Sequence, residues 1–128
     1  MLYLYTGTNK AAKDKDAQAL ALQLNQKIHR INLSAILSKY IGETEKNLAR
    51  LLIKAENQNW ILFFDEADAL FGKRSSVRDS HNRFENQETD HLLKYIKRYC
   101  GVAVISTNNK TKLSDKLKAH FKQIHVFN

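Results

Sequence analysis

Residues 60–66 read Trp60-Ile61-Leu62-Phe63-Phe64-Asp65-Glu66, five large apolar side chains followed at once by two carboxylates. A continuous apolar run of this length suits a strand buried on both faces, as strands of a parallel sheet are. Ligands of α/β domains gather at the carboxyl edge of such strands. The run is therefore expected to be a central strand that delivers Asp65 and Glu66 to a binding edge. Read alone, the pair also suits the start of a helix near Ala67, where acidic side chains are favoured.

On either side, further short β-prone runs cover Leu2 to Tyr5, Ile28 to Asn32, Val102 to Ser106 and Gln123 to Phe127. Between them, Asp14 to Asn25, Glu43 to Gln58 and Asn86 to Tyr99 carry apolar residues three and four apart, the spacing of a helix with one buried face. Leu48, Leu51, Leu52 and Ala55 mark the second helix, and Leu92, Leu93 and Ile96 the third. Strands alternating with helices predict an α/β fold: a mainly parallel five-stranded sheet flanked by helices in three layers. The chain has no proline and four glycines, all between periodic segments, which makes each glycine a candidate turn. The polar and basic stretch from Gly72 to Arg83 is expected to be an exposed loop.

At 128 residues the sequence predicts one domain with one core. No run approaches the roughly 20 apolar residues that cross a membrane, and the start Met1-Leu2-Tyr3-Leu4-Tyr5 is too short for a signal-peptide core. A cytoplasmic location is the expectation. The single Cys100 cannot form an internal disulfide and is expected to be a core thiol. The net charge of +8 attracts phosphates without choosing between nucleotide and nucleic acid. Lys110, Lys112, Lys116, Lys118 and Lys122 read as a solvated face, since no aromatic residues interleave with them as a stacking platform. The spacing of Asp79, His81, Glu88 and His91 matches no zinc motif. Ser75, Ser76 and Ser80 have no base placed to activate them.

The segments ILFFDEADALFGKR and SAILSKYIGETEKNLARLLIKAE are similar to the Walker B strand of AAA+ ATPases and to the block before it. VAVISTNN resembles the sensor-1 strand, and RSSVRDSHNRFENQE the loop and helix between, of the bacterial Cdc48-like branch. The resemblance runs from about Leu2 to Phe127. It implies a P-loop NTPase-like core that binds ATP and Mg²⁺, works as a homo- or hetero-oligomer and acts on a polypeptide. Under it, Asp65 would hold Mg²⁺ and Glu66 would orient the attacking water. Asn108 would be the sensor-1 group, and Asp68 a helix-start residue. Tyr40, Ile41 and Gly42 fall where the family carries a pore loop that grips the polypeptide. A tyrosine packed on the domain surface is the alternative for Tyr40.

Gly7-Thr8-Asn9-Lys10-Ala11-Ala12-Lys13-Asp14 stands where the phosphate loop GxxxxGK[ST] is expected, after one strand and before a helix. Gly7 and Lys13 match it. Ala12 replaces the second glycine, and Asp14 sets a carboxylate where a hydroxyl belongs, beside a triphosphate. Asp can still ligate Mg²⁺ as a hard oxygen donor. Ala119 and His120 stand where the family has finger arginines, and Lys118 or Lys122 lacks their planar fork. The chain stops at Asn128, so the resemblance implies a single large subdomain without the helical lid. The sequence therefore predicts a degenerate AAA+ module with weak or lost hydrolysis, serving as a structural, regulatory or partner-binding subunit. Under that reading ATP and Mg²⁺ bind weakly or not at all. The alternatives are an ATPase domain active only in a ring with other subunits, and a basic nucleic-acid-binding domain.

Overall fold

The computed structural model describes residues 1–33, 41–67, 90–108 and 115–128. Its elements run β1 (Leu2–Thr6), α1 (Lys10–Leu24), β2 (Ile28–Asn32), α2 (Ile41–Gln58), β3 (Ile61–Asp65), a helical stretch over residues 90–96, β4 (Ala103–Ser106), α3 (Asp115–Lys118) and β5 (Gln123–Val126). The five described strands form one sheet in the order β2-β3-β4-β1-β5, and every pairing is parallel. The α/β expectation holds, with each strand within one residue of its sequence reading at either end.

All four residues from Ile61 to Phe64 are buried, because β3 is covered on both faces. Leu2, Leu4, Leu62, Phe64, Ala103 and Ile105 face the larger core, against Leu48, Leu52 and Ala55 of α2, Leu92, Leu93 and Ile96, and Leu117 and Phe121. Tyr5, Phe63 and Val104 face the other way, where α1 contributes only the small side chain of Ala17. Ala21 packs similarly on Ile61 and Val102. The period-2 alternation of the strands thus sorts one continuous apolar string into two cores, one thick and one thin.

Helix ends are made without glycine. Asn25, at φ 54°, ends α1 in the left-handed region, and the Gln26 N–H donates to the Ala21 carbonyl at 3.0 Å. Asn59, at φ 58°, repeats the pattern after α2, with the Trp60 N–H donating to Ala55. Asparagine is the residue that tolerates this region next best after glycine, and the bonds satisfy carbonyls a helix end leaves open. Tyr99 then donates its hydroxyl to the Ala55 and Trp60 carbonyls, locking this turn to the core.

Four sequence expectations are corrected here, the first being Gly42, which lies within α2 and not at a turn between elements. The first helix starts at Lys10, four residues before Asp14, and Asn9 is its cap. Tyr99 lies past the helical stretch, which ends at residue 96. Cys100 is exposed, because the turn after that stretch gives the buried position to its neighbour Tyr99, 3% exposed. The loop expected from Gly72 to Arg83 lies outside the described residues.

Candidate functional site

The register brings the site residues to one edge. Tyr5 pairs with Ser106, and Phe64 with Ile105, so Asp65 at the end of β3 stands level with Ser106 and Tyr5. The loops after β1, β3 and β4 therefore leave the sheet side by side. They carry Gly7 to Asp14, Glu66, and Thr107 with Asn108.

Asp65 is half-buried, and one of its carboxylate oxygens accepts the Glu66 N–H at 3.0 Å. Glu66 is exposed and held at φ 57°, a conformation that costs an L-residue about 1–2 kcal/mol. A strained backbone at the end of a buried strand is where functional side chains concentrate. Replacing Glu66 with glycine is expected to raise stability by about 1 kcal/mol in urea denaturation, by removing that cost.

The loop after β1 is closed by its own chain. Asn9 accepts the Ala12 N–H on its side chain at 3.0 Å and the Lys13 N–H on its carbonyl at 3.1 Å. The Lys10 N–H donates to Thr8, and the Asn9 N–H to the carbonyl of Phe127, each at 3.0 Å. Gly7 has φ 100°, and a Cβ placed there would overlap the Phe127 backbone. Gly7→Ala is accordingly expected to cost about 1–3 kcal/mol in the same assay, from backbone strain and the clash with Phe127.

Physical chemistry accounts for this closure. Asn is among the best N-caps, and Ala11 and Ala12 are the best helix formers at the next positions. Together they draw the helix back through the loop. Lys13, only 2% exposed, donates from Nζ to the Thr107 carbonyl at 2.8 Å, tying α1 to the end of β4. Asp14 turns toward β2 and pairs with Arg30 at 3.0 Å, while the Arg30 guanidinium lies 4.7 Å from the Phe63 ring centre.

Asn108 is exposed immediately after Thr107. Ile41 and Gly42 stand in the first turn of α2, whereas Tyr40, Asp68, Asp79, His81 and Glu88 lie outside the described residues. His120, at a position where the resemblance implies a finger arginine, is turned inward. Its Nε2 meets the Asp90 carboxylate, with both side chains 8% exposed, and Lys94 joins from the helix surface at 3.3 Å. Among the described residues, no group of three or more His, Cys, Asp or Glu side chains gathers as a metal site.

Sequence reasoning missed Asn9, Arg30, Thr107 and Phe127 as parts of this edge. Asn9 followed by Lys10-Ala11-Ala12 carried a local capping signal. The other three act through contacts between residues 16 to 118 positions apart, which no local pattern reveals.

A parallel sheet in this order, with a glycine-lysine loop after β1 and an acidic pair ending β3, defines a P-loop-type nucleoside-triphosphatase fold. The chain belongs to the ATPase family associated with various cellular activities (AAA), which it matches over residues 4–128. Cell division protein C of Sulfolobus acidocaldarius is 28% identical across 96% of this chain and 36% of its own length. An uncharacterized AAA family ATPase, y4kL, of Sinorhizobium fredii is 29% identical across 97% of this chain and 38% of its own. Peroxisomal ATPase pex6 of Schizosaccharomyces pombe is 31% identical across 90% of this chain and 12% of its own length. The chain thus spans less than two-fifths of each of these relatives.

Family membership implies ATP with Mg²⁺ as the ligand class. The phosphate loop as folded does not fit it: the N–H groups of Asn9, Lys10, Ala12 and Lys13 have acceptors within the chain, and the Lys13 ammonium, buried, donates to Thr107. Phosphate recognition needs such donors pointing outward. No helix among the described residues is long and apolar enough to cross a membrane.

Proposed function

We propose that the chain is a degenerate AAA module, with ATP hydrolysis weak or lost, that acts as a structural or regulatory subunit by binding protein partners. The observation that carries this reading is the closed loop: α1 begins at Lys10, and the loop N–H groups of Asn9, Lys10, Ala12 and Lys13 are bonded internally. Asp14, paired with Arg30, supports it, because no hydroxyl stands ready for Mg²⁺. His120 supports it as well, since a side chain buried on Asp90 cannot reach a neighbouring subunit's nucleotide.

A second reading rests on Asp65 and Glu66. The pair sits at the carboxyl edge, and Glu66 keeps its strained φ. In that reading the chain binds ATP and Mg²⁺ within a ring whose other members supply the missing arginine. The family resemblance makes polypeptide substrates and oligomers the class of partner to examine.

Calorimetric titration with ATP and Mg²⁺ separates the two, saturable micromolar binding favouring the second reading and its absence the first, and phosphate release tests the loss of hydrolysis itself. The expected result for the chain alone is no turnover above the blank, and no change on Glu66→Gln. Turnover that Glu66→Gln abolishes would overturn the degenerate reading.

A further inference from the structure

β5 is the outer strand of the sheet and, among the described strands, pairs with β1 alone. An outer strand carries a row of backbone N–H and C=O groups that template pairing with another chain, and proteins usually blunt such edges with charge, proline or a bulge. The opposite edge is blunted in this way, since β2 places Arg30 in its middle, paired with Asp14. Within β5 itself no such guard stands. Its sequence Gln123-Ile124-His125-Val126 holds no Lys, Arg, Asp, Glu, proline or glycine, and it leaves Ile124 40% and Val126 63% exposed.

The two faces of this edge differ. Ile124 and Val126 form an apolar ledge on one side. On the other, Gln123 and His125 join Tyr3, Tyr5, Asp16 and Leu20 around a groove of about 200 Å³ between β5 and α1. The His125 ring and the Gln123 amide are bonded to each other at 3.0 Å, while Tyr5 is occupied by Asp16. At the start of the strand, Lys118 and Lys122 are exposed. The whole chain carries +8, so a second copy meets repulsion at this edge and a negative segment meets attraction.

We infer that the β5 edge accepts an extended acidic polypeptide segment as a sixth strand. This names the surface and partner class of the partner-binding module proposed above, and it rests on that reading. Main-chain bonds to β5 supply affinity, and alternate side chains supply selectivity. Apolar residues of the segment lie on Ile124 and Val126, polar ones over the groove at Gln123 and His125, and carboxylates near Lys118 and Lys122. The strand ends one residue before Phe127, whose carbonyl holds the Asn9 N–H, so the bound segment would border the closed loop.

The test is fluorescence anisotropy of a labelled peptide of about eight residues alternating Glu and Val, a length that spans one strand, titrated with the full chain with and without ATP and Mg²⁺. Saturable binding is expected, weakened roughly tenfold by Val126→Glu and by Lys122→Glu, and reduced by added salt. Both positions are exposed, and an unchanged thermal transition in each variant shows that folding is intact. Equal binding by a Lys-Val peptide, or binding indifferent to both variants, overturns the proposal. So does self-association of the chain that Val126→Glu abolishes, which would make a second copy the occupant. If no peptide binds while ATP is also left unhydrolysed, this proposal fails and the degenerate reading stands. Hydrolysis of ATP would remove that reading and leave the peptide result to be judged by itself.

Discussion

Asp90→Ala is expected to lower the unfolding free energy by about 1–3 kcal/mol, measured by urea denaturation at neutral pH. Asp90 and His120 are 6% and 9% exposed and meet inside the larger core. Removing the carboxylate strands the His120 Nε2 in a site where Nδ1 already has no hydrogen-bond partner among the described residues. A buried polar group left alone costs its full desolvation, and it is rescued only by replacing both members together. Asp90→Leu with His120→Leu should therefore be milder than Asp90→Ala. A loss below about 1 kcal/mol for the single variant would mean that the pair is hydrated and that His120 is free to turn outward. The result bears on function because this position is one of the two at which the family resemblance implies an arginine that acts across a subunit boundary.

Opening the loop by substitution is expected to strengthen nucleotide binding roughly a hundredfold. The variant combines Asn9→Ala, Ala12→Gly and Asp14→Thr. Losing the cap costs the early helical turn about 1 kcal/mol, and glycine in place of alanine about another. Closure is then less favourable by about 2 kcal/mol, and the apparent affinity rises with the open fraction, some thirtyfold. Exchanging the Asp14 carboxylate for a hydroxyl removes a like charge beside the phosphates and accounts for the rest. The Arg30 pair that is lost is half-exposed and contributes little. Titration calorimetry with ATP and Mg²⁺ checks this. No gain would mean that something other than the loop limits binding.

The fold was legible because its central strands are buried on both faces and read as unbroken apolar runs. The parallel sheet and the large core beneath Phe64 follow from that reading together with the helical spacing of Leu48, Leu52, Leu92 and Ile96, whereas the strand order does not. The site was legible where chemistry and position coincide: Asp65 and Glu66 must lie at the strand end. It was less legible where one residue type serves two purposes. Asn9 looked like a loop residue but caps a helix, and Asp14 looked like a carboxylate set beside the phosphates but forms an ion pair with β2. His120 looked like a residue standing where the family has a finger arginine. Its burial depends on Asp90, thirty positions away, and periodicity says nothing about such a pairing. Cys100 failed for the opposite reason: burial follows composition on average, and one turn decides it for one residue.

Closure of the loop is the central claim, and amide chemical shifts report on it directly. In an isotope-labelled chain titrated with ATP and Mg²⁺ into the millimolar range, the amides of Asn9, Ala12 and Lys13 should stay where they are and remain slow to exchange with solvent, because each already has an acceptor in the chain. Saturable shifts at those three amides at micromolar ATP would contradict the account and show that the loop opens to hold phosphate.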